Sequence, residues 1–470
     1  MPASSNHPTA PREKALAVNL DSQRYGTFAE IGAGQEVVRW FFQAGAAAGT
    51  IAKSISAYDM TISDAIYGRA KRYVCRERLE AMLDHEHELN RVRLEKRNAA
   101  GTALFAFADT VSARSYRGGN ECHGWMGIRF QARADQPDSQ IVIHVRMLDD
   151  DNRRQQDALG IVGVNLVYGA SYLHAEPEKL LESLIDGLTT SRIEIDVIDF
   201  SGHAFEQVDN RVMALRLVQL GLCGATMFAA GGQVLQPSEV LYKKPVLVER
   251  GSFRPATLVN VDIIECADRI FRKEPDVDGE EPVIIAELTM ANLLSEGELE
   301  LKDFIDRADS LLVSGITVLI SDSSEYYRLC AYLSRYTERK IGIALGVGSL
   351  LQLFEEPYYE HLEGGILEAI GRMFKNNVRL YVYPMRNAET GKIVTAENLE
   401  VSASVRPLYK YLLSEGHIEP IRDFREDLLG IYSKDLLAMI EAGESGWEEQ
   451  VPPGVGKLVK ERGLFGWPRS

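Results

Sequence analysis

Two polar turns in the second half of the chain carry residue types that bind small anions. A serine turn, residues 321–324 (SDSS), follows an apolar run at 316–320, and a glycine turn, residues 346–349 (GVGS), follows another at 341–345. Both precede predicted helices, so hydroxyls and backbone N–H groups would collect where a helix dipole favours negative charge. We predict that a phosphate or carboxylate binds there; the alternative is that these residues only cap helices. The predicted ligands are Ser321, Ser323, Ser324, Gly346, Gly348 and Ser349.

Four cations lie close together in the sequence before these turns. Lys243, Lys244, Arg250 and Arg254 fall within a short stretch that also contains a glycine. Arginine guanidinium groups on such a loop can hold an anion through two hydrogen bonds. The sequence therefore predicts that these four residues complete the anion site, and it equally allows them to form salt bridges at a domain or subunit interface.

A row of carboxylates marks one predicted strand, residues 192–200. Glu194 and Asp196 are two residues apart, so they share a face of the strand, and Asp199 follows closely. Carboxylate oxygens are ligands for hard divalent cations. These three residues form a candidate magnesium site, and the alternative is the wet face of a half-buried strand.

Histidine and glycine motifs give weaker indications. His123 follows Cys122, but neighbouring strand residues point to opposite faces, so a Cys–His pair is not favoured. His144 lies inside a predicted strand without a triad partner nearby in the sequence. Gly32 and Gly34 resemble part of a dinucleotide-binding fingerprint, which needs a preceding strand and a third glycine. A valine stands at the third position, which argues against dinucleotide binding here.

The elements that would position these residues change in kind along the chain. Residues 28–56 are predicted as helical because small and apolar residues dominate, and 69–97 as a long exposed helix because leucines recur among many charges. Strand patterns follow at 103–107, 126–131, 140–147, 160–168 and 192–200. Their close spacing predicts an antiparallel or mixed sheet.

After residue 255, apolar strands alternate with helices. Strand patterns at 258–264, 283–288, 317–321, 341–345 and 378–383 are mostly separated by helical stretches. This is the βαβ rhythm of a parallel sheet covered by helices, in which both polar turns would lie at the carboxyl edge. We predict an α/β fold, with a mixed sheet in the N-terminal half and a parallel sheet in the C-terminal half. The predicted segments are a flexible tail (1–20), a mixed α/β domain (21–255), a parallel α/β domain (256–440) and a C-terminal tail (441–470).

The composition argues against several classes of protein. The 470 residues include 52 Lys and Arg against 68 Asp and Glu, a formal charge of −16, so a broad nucleic-acid or anionic-membrane surface is not expected. Five separated cysteines suit reduced thiols, and the first residues show no secretory signal. An uncharged stretch at 217–238 contains four glycines and a proline, unlike a membrane span. We expect a cytoplasmic protein without a membrane partner.

Three runs resemble an uncharacterised bacterial protein family of about this length. They are residues 250–255 (RGSFRP), 362–368 (LEGGILE) and 379–384 (RLYVYP), and the resemblance covers most of the chain from residue 22 onward. Members carry two labels, nicotinate-nucleotide adenylyltransferase and TonB-dependent receptor. The transferase label implies a His-x-Gly-His motif, which this sequence lacks, and a second signature, ISSTxxR. Residues 322–328 (DSSEYYR) are similar to that signature in two serines and the arginine. The receptor label has no counterpart in these residues.

Two hypotheses for function follow, from different classes. The first is a protein that binds a small anionic metabolite, phosphorylated or nucleotide-like, between its two halves and acts on it as an enzyme. No nucleophile–base pair stands out, so catalytic residues are not predicted. The second is a non-catalytic, self-associating or ligand-sensing protein, in which the same cations join subunits of a homo-oligomer. Gly- and Ala-rich stretches at 45–49 and 221–232 would then permit close packing.

Overall fold

The chain folds into two compact units, residues 1–223 and 224–470, in a computed structural model that describes residues 7–115, 121–294 and 297–468. The sequence places a boundary near residue 255, whereas the structure divides the chain at Cys223. The two positions differ because the segment between them supplies strands to the second sheet.

Unit 1, as far as it is described, is built on a mixed sheet with the strand order β2-β1-β3-β4-β5-β6. Strand β1 is parallel to β2 and β3, and the pairs β3–β4, β4–β5 and β5–β6 are antiparallel. The strands are β1 (Arg24–Gly32), β2 (Ile51–Ala57), β3 (Ala103–Ser112), β4 (His123–Gln131), β5 (Asp138–Met147) and β6 (Ile193–Gly202). The helices are α1 (Pro11–Leu20), α2 (Val37–Ala44), α3 (Met60–Tyr67), α4 (Arg76–Arg93), α5 (Glu95–Ala99), α6 (Asn152–Tyr172), α7 (Pro177–Ser183) and α8 (Asn210–Gln219).

Helices cover both faces of this sheet. A Cβ on Gly127 would meet Leu79 and Leu83 of α4, whereas the neighbouring Met126 lies against Gly163 of α6. Successive strand residues point to opposite faces, so α4 and α6 pack on opposite sides. The core of unit 1 therefore lies in two layers, one on each side of the strands.

Two predictions for unit 1 are wrong in the type of element. Residues 28–56, predicted as helix, contain most of β1, then α2 and β2, and residues 160–168, predicted as a strand, lie inside α6. Strand β1 and helix α6 are buried on nearly all sides, so their apolar residues form continuous runs without the period that separates helix from strand.

The N-terminal segment also differs from the predicted tail. Residues 11–20 form α1, and the fully buried Lys14 ammonium donates to Asn165 at 3.0 Å, to the Ser183 carbonyl at 3.1 Å and to Asp186 at 2.7 Å. The sequence of this segment, with its Pro, Ser and charged residues, does not indicate these contacts, because the partners of Lys14 lie far away in the sequence.

Unit 2, within the residues described, is built on a sheet with the strand order β16-β13-β12-β9-β10-β11-β7-β8. The strands from β16 to β11 in that order are parallel, and β7 and β8 continue the sheet antiparallel. The strands are β7 (Ala225–Phe228), β8 (Val234–Leu235), β9 (Val246–Arg250), β10 (Val283–Thr289), β11 (Thr317–Ser321), β12 (Ile341–Gly346), β13 (Val378–Tyr383), β14 (Met385–Arg386), β15 (Ile393–Val394) and β16 (Ile418–Pro420). The helices are α9 (Pro237–Leu241), α10 (Leu258–Phe271), α11 (Met290–Leu293), α12 (Leu301–Leu312), α13 (Tyr326–Leu333), α14 (Val347–Leu353), α15 (Gly365–Phe374), α16 (Arg406–Ser414), α17 (Ser433–Glu441) and α18 (Pro453–Arg462).

The predicted α/β class is confirmed, with a mixed sheet in the first half and a mostly parallel one in the second. The strand predicted at 258–264 is wrong, because these residues begin α10. Thr257 and Asn260 form a capping box, in which each side chain accepts a hydrogen bond from the other residue's backbone N–H. A capping box fixes a helix start.

The C-terminal segment, predicted as a tail, contains α18 and a buried cluster that includes Trp447, Val455 and Phe465. Asp306 of α12 accepts a hydrogen bond from the Phe465 N–H at 2.7 Å, and Arg462 pairs with Asp309 at 2.9 Å. These contacts hold the segment against α12.

No helix in the described part of the chain is both long enough and apolar enough to cross a bilayer.

Candidate functional site

The carboxyl edge of the parallel sheet in unit 2 brings together residues from four strands. Arg250 ends β9, Glu287 lies on the neighbouring β10, and the serine and glycine turns follow β11 and β12. Strands of one parallel sheet end at the same edge, where ligands commonly bind. The predicted placement of both turns at this edge therefore agrees with the structure.

Arg250 is occupied by a carboxylate of its own chain. Its Nε donates to Glu287 Oε2 at 2.7 Å and its Nη2 to Oε1 at 2.9 Å, and the Glu287 side chain is fully buried. Burial alone would favour the neutral guanidinium, but the Glu287 charge outweighs it and raises the pKa of Arg250. The bidentate pair leaves little positive charge for an external anion.

The serine turn supplies further groups to the same pair. The Ser321 hydroxyl donates to Glu287 Oε1 at 2.6 Å, and the carbonyls of Ser323 and Ser324 accept from Arg250 at 2.9 and 2.8 Å. The Ser324 hydroxyl donates to Glu325 at 2.6 Å. The turn thus presents carbonyl oxygens to a cation, which is the reverse of the predicted anion cradle.

The glycine turn adjoins this cluster through Tyr326. Ser349 donates toward the Tyr326 hydroxyl, and the Arg250 guanidinium lies over the Tyr326 ring at 4.3 Å from its centroid. A Cβ on Gly346 or Gly348 would meet nothing within 4 Å. The glycines are therefore not required by any close approach of the chain itself.

The other predicted cations lie elsewhere in unit 2. Arg254 pairs with Asp303 at 2.6 Å, and Asp303 also pairs with Arg307 at 2.6 Å. Lys243 and Lys244 are exposed and precede β9, so they lie at the amino end of the strand that Arg250 ends. The structure brings Arg250 to the serine turn but does not bring these three cations there.

The three carboxylates of β6 lie on one face but do not meet. Glu194 pairs with Arg146 at 2.9 Å, Asp196 with His144 at 2.5 Å, and Asp199 with Arg76. A β-bulge at Asp196 changes the alternation, which is why Asp199 joins the face of Glu194. In the part of the chain that the structure describes, no group of three or more His, Cys, Asp or Glu could hold a metal ion. The predicted magnesium ligands are each bound to a different partner.

A cavity of about 650 Å³ opens beside the serine turn, between α13 and the end of α15. Its wall includes Asp322 and Ser323 from the turn and the aromatic rings of Tyr327 and Tyr332. Four basic side chains complete it: Arg328, Arg335, Arg372 and Lys375. The size falls within the range of pockets for small metabolites, about 300–1,000 Å³.

The charges around this cavity are only partly balanced. Arg328 pairs with Glu325 at 3.1 Å and Arg372 with Glu368 at 2.5 Å. Arg335 and Lys375 form no ion pair with any described residue. Burial raises the pKa of Asp322, opposed mainly by the charge of Arg328. The cavity is therefore the cationic site of unit 2, which we call the basic cavity.

Sequence reasoning found one side of the basic cavity and missed the other. Asp322, Ser323 and Arg328 belong to the run that was compared with the transferase signature. Arg372 lies on α15, Lys375 follows its last residue, and neither was predicted as a site residue. Their spacing was visible in the sequence, but the packing of α15 against α13 was not.

The glycine motif of unit 1 does follow a strand, contrary to the helix predicted there. Gly32 ends β1, and α2 begins at Val37, yet the helix N-terminus is already filled. The buried Glu30 carboxyl group accepts from the N–H groups of Val37 at 2.8 Å and Val38 at 3.4 Å. A phosphate would have to displace this internal carboxyl group.

Comparisons with known proteins give little further help. No protein-family model and no curated protein matches the chain. Solved structures with partial similarity include competence/damage inducible protein CihA from Agrobacterium tumefaciens (14% identity, TM-score 0.25, 36% of this chain and 99% of that chain). A competence or damage-inducible protein from Enterobacter asburiae matches similarly (11% identity, TM-score 0.25, 35% of this chain and 99% of that chain). Similarity at this level carries no inference about function, and the resemblance to the uncharacterised bacterial family stays a prediction.

Proposed function

We propose that the basic cavity of unit 2 binds a small anionic metabolite, phosphorylated and nucleotide-like. The observation that supports this most directly is the charge of its wall, where four basic side chains surround one carboxylate, Asp322. Two of the cations, Arg335 and Lys375, form no ion pair with a described residue, although the charge of Asp322 acts on Arg335. A phosphate group would supply the missing counter-charges through charge-assisted hydrogen bonds.

The aromatic rings favour a ligand with a flat part. The guanidinium groups of Arg328 and Arg372 lie about 6 Å from the Tyr327 ring centroid, and that of Arg335 lies 5.7 Å from the Tyr332 centroid. A tyrosine face next to cations suits a nucleobase joined to a phosphate, because the base stacks while the phosphate is neutralised. A carboxylated metabolite without a base would make only the charge contact with the cations, and it would not stack on a tyrosine ring.

A ligand screen with matched charge variants tests this proposal. Thermal unfolding would be followed with AMP, ADP, ribose 5-phosphate, inorganic phosphate and a dicarboxylate, each with and without magnesium. A ligand that binds the folded state raises the unfolding temperature by mass action. We expect a nucleotide to give the largest rise.

Calorimetric titration of that nucleotide into variants then locates its site. Arg335→Gln and Lys375→Gln remove cations that form no ion pair with a described residue, and each should weaken binding about tenfold, roughly 1.4 kcal/mol. Lys243→Gln removes the same charge at an exposed position away from the basic cavity and serves as the control. A screen without any stabilising ligand, or equal weakening in Lys243→Gln, would overturn the proposal.

A further inference from the structure

Three side chains on neighbouring strands of unit 1 form a continuous hydrogen-bonded chain. Asp196 Oδ1 lies 2.5 Å from His144 Nδ1, and His144 Nε2 lies 2.9 Å from His123 Nδ1. Asp196 and His144 are fully buried, whereas His123 keeps part of its ring exposed. The chain therefore runs from the interior of the sheet to its surface.

Strand register, not sequence proximity, assembles this chain. His144 on β5 lies opposite Trp125 on β4 and opposite the bulge on β6, where Asp196 and Val197 face one residue. The Trp125 and His144 ring centroids are 4.9 Å apart, so the indole holds the imidazole from the side. The arrangement is rigid because every member lies on a strand.

One arrangement of protons on these hydrogen bonds suits a relay. A carboxylate only accepts, so His144 donates its Nδ1–H to Asp196. In the tautomer that the relay uses, His144 Nε2 accepts a hydrogen bond from His123 Nδ1–H. His123 Nε2 then carries a lone pair, and it makes no hydrogen bond within the described chain.

Charged groups around His123 keep its ring neutral. Burial, followed by the proximity of His144, lowers the pKa of His123 to about 4, while Asp196 opposes the change. Arg146 and Arg72 add to the lowering. Arg146 is itself held by Glu121 at 3.1 Å and by Glu194 at 2.9 Å. At neutral pH the His123 ring is thus uncharged.

We propose that Asp196, His144 and His123 form a proton relay whose outer nitrogen, His123 Nε2, is the general base of a reaction site in unit 1. The base removes a proton from a hydroxyl group of a substrate, or from water. The O–H bond breaks as an N–H bond forms at His123 Nε2, and the Nδ1 proton of His123 passes to His144 Nε2. The positive charge then resides on His144, beside the Asp196 carboxylate, and an alkoxide or hydroxide is left to react.

The surroundings limit the class of substrate. Arg72 and Arg146 lie close enough to His123 to disfavour a cationic molecule beside it. A neutral or anionic hydroxyl compound fits this site. His144 and Asp196 are positioning residues, since only His123 would touch the substrate.

Chemical modification of the intact protein tests the relay without knowledge of the substrate. Diethyl pyrocarbonate acylates neutral imidazole nitrogens, and mass spectrometry of peptides reports the rate at each histidine. N-acetylhistidine, added as an internal standard, should lose about tenfold in rate between pH 7.5 and 5.5 as it protonates near pH 6.5. His123 should lose less than twofold over the same range, because its ring stays neutral.

Variants separate a relay from a merely structural network. His144→Gln and Asp196→Asn should each lower the acylation rate of His123 about tenfold. The acylated ring is positively charged until it loses its Nδ1 proton, and in these variants the relay no longer takes up that proton. His174→Gln, in the same unit but outside the chain of hydrogen bonds, should leave that rate unchanged. Circular dichroism checks folding, and the two relay variants give independent readings if one fails to fold. An unreactive His123, a pH profile like that of the standard, or relay variants with the wild-type rate would overturn the proposal.

Discussion

In both units, buried acidic side chains lie near the carboxyl ends of parallel strands, but they are stabilised differently. In unit 2 the buried Glu287 is held by two hydrogen bonds from Arg250 and one from Ser321. In unit 1 Glu30 and Asp109 are cross-strand neighbours, and neither forms an ion pair with a described residue. The buried Asp109 carboxyl group has no side-chain partner there, and the Ile31 backbone N–H only partly offsets its burial. Burial raises the pKa of both acids of unit 1, and for Asp109 the Glu30 charge adds to the rise.

The difference shows two ways to keep a carboxyl group out of water. An arginine partner keeps the carboxylate charged, whereas burial without one favours the protonated acid. The unit 2 turn should therefore depend on the presence of Arg250, and the unit 1 turn should depend on pH.

The largest effect is expected from breaking the pair in unit 2. Arg250→Met leaves Glu287 buried without its cation, and removal of one partner of a buried pair costs about 3–5 kcal/mol. Hydrogen exchange of peptides from unit 2, compared with those from unit 1, measures the loss. The double variant Arg250→Met/Glu287→Met removes both charges and should recover most of it. A single variant as stable as wild type would contradict the pairing that distinguishes this unit.

A smaller effect is expected at the glycine turn of unit 1. A Cβ at Gly34 would lie 1.9 Å from Asp109 Oδ1, so Gly34→Ala forces the buried carboxyl group to move and should cost about 1–3 kcal/mol. Gly346→Ala is the matched control in unit 2, because its surroundings are open and its φ is −79°. The control should change the free energy of unfolding by no more than about 0.5 kcal/mol. Equal costs in urea denaturation would remove this contrast.

The smallest effect, and the sharpest in sign, concerns Asp109. Its pKa is higher in the folded state, so its contribution is full below the ordinary carboxyl range near pH 4 and is lost as pH rises toward the raised value. Asp109→Asn does not ionise, and it should be more stable than wild type by about 1 kcal/mol at pH 8 while differing little at pH 4. Urea denaturation at both pH values measures this. The stability difference between Asp109→Asn and wild type should grow in favour of the variant as pH rises. If it moved against the variant between pH 4 and pH 8, the raised pKa of the buried Asp109 would be contradicted.

The sequence predicted what local patterns encode. Apolar runs that end in SDSS and GVGS correctly located two strand ends of unit 2, and the βαβ rhythm predicted the parallel sheet. The partner of Arg250 could not be predicted in this way. Glu287 lies on a different strand, and the order of strands, which decides which charges meet, leaves no local pattern in the sequence.

The same reasoning explains the missed features of unit 1. Residues of β1 are buried on both faces, so their pattern resembles that of a buried helix. Because a helix was predicted there, the glycine motif was not recognised as following a strand. His144 and Asp196 lie on separate strands, and only the cross-strand register shows that they meet.

The bulge in β6 makes this strand tolerant of a shorter length at one point. Asp196 adds one residue to the strand, and Asp199 shares the face of Glu194 and Asp196 only because of it. Deletion of Val197 would remove the bulge and restore regular alternation, so Asp196 would still lie opposite His144 and Asp199 would stay on the same face. In evolutionary terms, a one-codon deletion here can be absorbed without separating the relay carboxylate from the ion pair of Arg76.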